Sequence, residues 1–181
     1  MLLRFAHEMN GNWYPWDEGV NGNARQLRRN VVLRSASFAA AGADNVLWVW
    51  SPNLAYPGSQ HVDELFPGKN AVDVVGLVGY FGHFRTAPEK YPTFDELYGP
   101  TLADIRRLSD LPVLITEASA TEEGGFKAAW TADFLAGVAS RDDISGFVWF
   151  DVVKESDWRV NSSPEALAAF VGGLTDPAFG G

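Results

Sequence analysis

The sequence predicts an α/β fold built on a parallel sheet, and three observations lead there. Short apolar runs alternate with longer stretches of helical period, which is the pattern of βα units. The short runs are nearly continuous in apolar residues, as strands covered on both faces require. Each run also ends in polar or ionisable residues. The first runs from Leu2 to Ala6 and ends in His7-Glu8, and the second from Val46 to Trp50, ending in Ser51-Pro52-Asn53. The third covers Val72 to Val78 and ends near Tyr80; the fourth covers Val113 to Thr116 and ends in Glu117; the fifth covers Phe147 to Phe150 and ends in Asp151. Between them, residues 23–41 carry Leu27, Val31 and Phe38 on one helical stripe, with Gly42 as the stop. Residues 101–109 place Leu102, Ile105 and Leu108 three apart, and residues 126–139 place Trp130, Phe134 and Val138 four apart. The last helix has Ser163 as N-cap and Pro164 in its first turn, then Leu167, Phe170, Val171 and Leu174 as its apolar face. Residues 56–70, with their Pro and Gly, read as a loop holding one helical turn. No repeat or linker divides the chain, so residues 1–181 are expected to form one domain.

Composition narrows the function. The chain carries 14 Lys+Arg against 23 Asp+Glu, a net charge of −9. Such a balance argues against nucleic acid or an anionic membrane as partner, since both need clustered cations. Apolar residues make up 46% and charged residues 20%, as in an ordinary globular chain. There is no cysteine, which excludes disulfides, thiol nucleophiles and Cys-ligated metals. With only His7, His61 and His83 remaining, no metal site and no cofactor is expected. No apolar run approaches the ~20 residues of a membrane span, and no signal peptide is visible, because Arg4 follows Met1-Leu2-Leu3 at once.

Two segments carry the chemistry. In RFAHEMNGNWYPW a strand delivers Glu8 at its C-terminal end, and a Gly/Asn turn then presents Trp13, Tyr14 and Trp16. In PVLITEAS a second buried strand delivers Glu117. Either glutamate alone reads more readily as a solvated strand-end carboxylate, since acidic strand ends are common. Together they fit a parallel barrel, where catalytic groups come from the C-terminal ends of different strands. Two carboxyls facing one pocket are what glycoside hydrolysis needs: one protonates the leaving oxygen and the other attacks or stabilises the anomeric carbon. Sugar rings present C–H faces that stack on indole and phenol, which suits an aromatic content of 13%. An aldolase-like reading lacks its strand-end lysine, since Lys69, Lys90, Lys127 and Lys154 fall in loops or helices. Glu122-Glu123, in a Gly-rich loop, read as solvated charges, and His61 and His83 as lone loop histidines.

The run RFAHEMNGNWYPW, followed in order by NVLWVWSPN, VDVVGLVGY, PVLITEAS, FVWFD and DWRV, resembles glycoside hydrolase family 26 over nearly the whole chain. That family comprises β-mannanases, with some members acting on mixed-linkage glucan or xylan. The resemblance implies a retaining (β/α)8 hydrolase with its acid/base at the end of strand 4 and its nucleophile at the end of strand 7. Position by position, Glu8 is similar to the acid/base and Glu117 to the nucleophile. His7 resembles the histidine that contacts substrate beside the acid/base, and Trp13 the aromatic that lines the site near the scissile bond. Tyr80 resembles the tyrosine that hydrogen-bonds the nucleophile. Trp158 and Arg159 resemble the tryptophan that floors a sugar subsite and its neighbouring sugar-binding arginine. Asn10, Trp16, Asn53 and Trp149 also match, at positions that packing explains about as well; Trp48 and Trp50 read as core or barrel-lining.

The expected activity is therefore endo-acting, retaining cleavage of β-1,4-mannosidic bonds by double displacement, by this chain or by a catalytic half of which it is part. The alternatives are a non-catalytic or vestigial carbohydrate-binding fragment and a same-family hydrolase of mixed-linkage β-glucan or xylan. The expected partner is a β-linked polysaccharide, and the resemblance implies secretion. The first strand corresponds to strand 4, so the expected fold is an incomplete TIM-type barrel made of strands 4–8. A full barrel needs at least ~200 residues. Sheet edges left open by absent strands 1–3 imply self-association or a missing N-terminal segment.

Overall fold

A computed structural model describes residues 1–22, 24–82 and 88–180. Five strands form one sheet in the order β1-β2-β3-β4-β5: β1 (Leu2–Arg4), β2 (Leu47–Trp50), β3 (Val74–Phe81), β4 (Val113–Ala120) and β5 (Ile144–Trp149). The α-helices are α1 (Glu18–Asn21), α2 (Ala24–Ala40), α3 (Val62–Leu65), α4 (Phe94–Leu108), α5 (Lys127–Ala139) and α6 (Pro164–Gly173). Each strand neighbours the next in sequence, as the βα rhythm requires. His83 lies outside the described residues. The chain divides into two compact units, Met1–Val78 with Pro100–Leu114, and Gly79–Gly99 with Ile115–Gly181.

In the first unit β1 pairs in parallel with β2, Leu2 opposite Leu47 through Arg4 opposite Val49, and β2 pairs in parallel with β3 through Val49–Val74 and Trp50–Val75. Leu27 and Val31 of α2 are buried, and Phe38 stands edge-on to Trp48 at 5.2 Å. Trp50 is closed from solvent and meets Phe66 at 5.1 Å, so both strand tryptophans are buried in the core. Val62 and Leu65 fill the single turn of α3.

The second unit has an aromatic core. Trp130 and Phe134 project from one face of α5 and stack on each other at 5.2 Å; Trp130 also stacks on Phe81, and Phe134 meets Tyr98 and Phe147. Close packing needs glycine at two helical positions: a Cβ at Gly137 would stand 2.2 Å from Phe94, and one at Gly173 would stand 2.3 Å from Leu135. The Tyr98 hydroxyl, raised by complete burial, donates to the Gly79 carbonyl at 2.8 Å.

Four elements depart from the sequence pattern for physical reasons. The helix expected from residue 101 begins at Phe94, because Thr93 and Glu96 form a capping box. Thr93 Oγ1 accepts the Glu96 N–H at 3.2 Å, while Glu96 Oε2 accepts the Thr93 N–H at 2.9 Å and is held below the usual carboxylate range by it. The box starts a helix that carries Pro100 in its interior, where proline removes one ladder donor. β5 starts at Ile144, ahead of Phe147, with Gly146 inside it. β1 and β5 are not covered on both faces: no residue of β1 is buried, and Val148 of β5 is 51% exposed. On α6 the stripe Leu167, Val171 and Leu174 faces solvent (Val171 is 57% exposed), while Ala166 is buried, Phe170 meets Trp149 at 5.2 Å and Gly173 admits Leu135. This helix docks through Ala166, Phe170 and Gly173 rather than through its Leu and Val stripe.

Truncating Phe134 to Ala should cost about 3–5 kcal/mol by opening a cavity inside the aromatic core. Ser163 Oγ accepts the Ala166 N–H at 3.1 Å, so Ser163→Ala should cost about 1 kcal/mol. Chemical denaturation of both variants checks the contrast.

Candidate active site

In the first unit β1 stops at Arg4, and Glu8 is delivered by the turn after it rather than by the strand itself. Ala6 and Glu8 have left-handed backbones, φ +52° and +55°. Such conformations cost non-glycine residues about 1–3 kcal/mol each and persist where the surroundings over-determine them. Here the Glu8 N–H donates to Ser51 O at 2.7 Å, and Gly11 N–H donates to Glu8 O at 2.9 Å. The Glu8 side chain is 7% exposed. Its Oε1 accepts from the Asn53 carboxamide and its Oε2 from the Trp13 indole N–H at 3.4 Å. Asn53 is fixed in turn by Asn10, which accepts its N–H at 2.8 Å and donates to its carbonyl at 2.9 Å.

Trp13 is 46% exposed. Its ring covers Gly11, where a Cβ would stand 2.7 Å from the indole, and lies 5.9 Å from Tyr56. The N–H groups of Trp13 and Tyr14 both donate to Asp17 Oδ2, at 2.9 and 2.7 Å. Burial pushes the Asp17 carboxyl up, against the lowering effect of those two donors. Burial also pushes the Tyr56 hydroxyl up, helped by the negative charges of Asp17 and Glu8. His7 stands edge-on to Tyr14 at 4.7 Å, Tyr14 stacks on Trp16 at 4.6 Å, and the Trp16 indole donates to His7 O at 2.9 Å. The loop thus keeps its rings in a fixed aromatic cluster beside the carboxylate.

In the second unit β4 continues past Glu117 to Ala120, and β3 continues past Tyr80 to Phe81. Both residues stand inside strands and are partly exposed. The Tyr80 hydroxyl donates to Glu117 Oε2. The Tyr80 ring lies 5.2 Å from Trp158 and 5.6 Å, edge-on, from Phe150. Trp158 is 4% exposed, so its indole is packed against Tyr80 and nearly closed to solvent. The Trp158 carbonyl accepts from Ser119 Oγ at 2.6 Å and from Trp149 Nε1 at 3.0 Å. The exposed Arg159 guanidinium folds back onto Asp157, with Nε and Nη2 donating at 2.9 and 2.7 Å. That pairing, more than any other influence, holds the Asp157 carboxyl down at about 2.

The structure brings Glu8, His7 and Trp13 together in one unit, and Tyr80, Glu117, Trp158 and Arg159 together in the other. Three further residues belong to the first group. Asn53 matched the family pattern but read as packing; a carboxamide just after the second apolar run was its signal. Asp17 and Tyr56 gave none, because their roles arise from burial and from loop contacts. Glu122 is exposed and accepts from Ser162 Oγ at 2.6 Å, in keeping with a surface charge. Among the described residues no group of three or more His, Asp and Glu side chains could hold a metal ion, and no helix is long and apolar enough to cross a membrane.

The sequence profile of glycosyl hydrolase family 26 matches residues 1–146. The chain belongs to this family. It is 35% identical over 178 residues to Endoglucanase H of Acetivibrio thermocellus, covering 93% of this chain and 19% of that protein. It is 30% identical over 105 residues to a mannan endo-1,4-beta-mannosidase of Bacillus subtilis, covering 54% of this chain and 27% of that protein. Among solved structures, the catalytic domain of a GH26 endo-beta-1,4-mannanase from Bacillus sp. JAMB-750 superposes with a TM-score of 0.75 at 22% identity, over 97% of this chain and 49% of that one. A GH26 beta-mannanase from Bacteroides ovatus gives 0.64 at 18% identity, over 98% and 50%. The family 26 chain described here thus spans about half of each of these two solved chains and a smaller share of the two curated relatives. Its five-stranded α/β sheet is a partial TIM-type barrel.

The Asp157–Arg159 clamp gives a pH prediction. The carboxyl titrates lower in the folded chain than its ordinary 3.8, so the pairing contributes above about pH 4 and is lost as pH falls toward 2. In Arg159→Met the Asp157 midpoint, followed by carboxyl NMR, should return toward 3.8; a midpoint that stays near 2 would assign the shift to something other than the guanidinium.

Proposed function

We propose that this family 26 chain carries the acid/base and nucleophile of a retaining, endo-acting β-1,4-mannanase. The observation that carries the reading is the hydrogen bond from the Tyr80 hydroxyl to the Glu117 carboxylate, with the Trp158 ring behind Tyr80. A nucleophilic carboxylate needs its attacking oxygen aimed, and a phenol anchored between rings does that without adding charge. In the first step Glu117 attacks the anomeric carbon while Glu8, as general acid, gives its proton to the departing glycosidic oxygen. In the second, Glu8 takes a proton from water, the water oxygen attacks the anomeric carbon, and the bond to Glu117 breaks. The Asn53 and Trp13 donors fix the Glu8 carboxyl for this exchange. Trp13 offers an exposed ring for a sugar face, and His7 supports the same loop. Arg159 would bind sugar hydroxyls from its clamp with Asp157, and Trp158 would contribute chiefly as the wall behind Tyr80. A polymeric substrate implies action outside the cell.

A second substrate reading is a β-glucan, mixed-linkage glucan among them; that a relative 35% identical across 93% of this chain is named an endoglucanase supports a glucan substrate. The edge strands of the sheet, with Leu2 of β1 and Val148 of β5 exposed, support further barrel strands or a second copy as partner. Sedimentation that shows a clean monomer at high concentration would count against self-association.

Incubating the chain with β-1,4-mannan, mixed-linkage glucan and xylan tests the substrate, and NMR of the first-formed anomer tests retention. Glu117→Ala should reduce turnover to background. With an aryl β-mannoside bearing a good leaving group, azide should rescue Glu117→Ala to an α-glycosyl azide and Glu8→Ala to a β-glycosyl azide. Turnover that survives Glu117→Ala would overturn the assignment. Mannohexaose binding without cleavage by the unmutated chain would make it a carbohydrate-binding module instead.

A further inference from the structure

Lys127, the first residue of α5, is completely buried, and the proposed chemistry does not use it. Its position is costly twice over. Burial disfavours the ammonium and holds it below the usual lysine range, with Glu122, Asp157 and Asp151 offsetting this only in part. A cation at a helix N-terminus also opposes the helix dipole. Neither helix formation nor packing explains a lysine there. The compensation comes from the loop it faces: Nζ donates to Arg159 O at 2.7 Å and to Asp157 O at 3.3 Å. The carbonyl between them, that of Trp158, receives Ser119 Oγ and Trp149 Nε1. Three successive carbonyls of an irregular segment are thus each held by side-chain donors, the outer two by one charged group whose bonds are stronger than neutral ones.

We infer that Lys127 is a positioning residue: it fixes the backbone of residues 157–159 so that the Trp158 ring braces Tyr80, and through Tyr80 the Glu117 carboxylate. The link to turnover rests on the mannanase reading; the bracing does not. A nucleophile moved by a fraction of an ångström loses rate more than binding, so Lys127→Met should lower kcat about tenfold or more and leave KM within about twofold.

The test labels the full chain with 5-fluorotryptophan, with the Trp158 signal assigned through Trp158→Phe. In Lys127→Met the Trp158 fluorine signal should shift, while that of Trp130, one turn along the same helix, stays in place. An unmoved Trp158 signal, or equal shifts at both positions, overturns the bracing whatever the activity. Ser119→Ala leaves the lysine in place and removes one donor from the Trp158 carbonyl; it should shift the same signal in the same direction, so a failure of the lysine variant to fold does not decide the matter. A shifted Trp158 signal with unchanged kcat overturns the link to Glu117. A parent chain that neither cleaves nor binds manno-oligosaccharides overturns the mannanase reading and leaves the bracing to be judged by the fluorine signals alone.

Discussion

The pairing of Tyr80 with Glu117 depends on the register of β4 beside β3, which is tied at one end by Val75 N–H donating to Pro112 O at 3.0 Å and at the other by Thr121 N–H donating to Phe81 O at 3.0 Å. Together these bonds hold how far β4 advances beside β3. Side chains alternate faces along a strand, so a slip of one residue would put Thr116 or Ala118 where Glu117 stands and turn the carboxylate away from the phenol. The approach also needs Gly82, whose φ is +149° and where a Cβ would meet Thr121 Oγ1 at 2.4 Å. A backbone register and one missing methyl group therefore precede the chemistry that the carboxylate can perform.

Glu8 is held by a different device. Its carboxyl is buried after a short strand, in a turn with two left-handed residues, and so runs against both backbone preference and the hydration of a polar group. The opposing terms are the hydrogen bonds its two oxygens accept from the Asn53 carboxamide and the Trp13 indole. Asn53 supplies one only because Asn10 grips both of its backbone groups. Asp17 repeats the pattern one layer out, gathering the amides of Trp13 and Tyr14 at the expense of its own hydration. Local conformational cost is concentrated around the group that would donate the proton.

Elsewhere the structure spends little on strain. The second unit rests on stacked and edge-on rings, with glycines at 137 and 173 removing the bulk that would hold Phe94 and Leu135 away. On α6 the larger aliphatic side chains are left in solvent. Helix docking follows shape: Ala166 and Gly173 permit close approach, and the Phe170 ring between them inserts beside Trp149.

Continuous apolar runs and helical spacing announced five strands, the main helices and their order, because period and breaker residues act locally. They also exposed the two glutamates and the aromatic loop, since a charged residue closing an apolar run is visible in one dimension. The start of α4 was legible too, in Thr93 and Glu96, but Pro100 masked it. Which apolar face of α6 is buried, the tie from Asn53 to Glu8, the closure of Trp158 against Tyr80 and the burial of Lys127 were decided only in three dimensions. Sequence fixes a residue's chemistry and local geometry; whether a carboxamide 45 positions away reaches a carboxylate depends on strand register and side-chain packing, which exist only once the chain has folded.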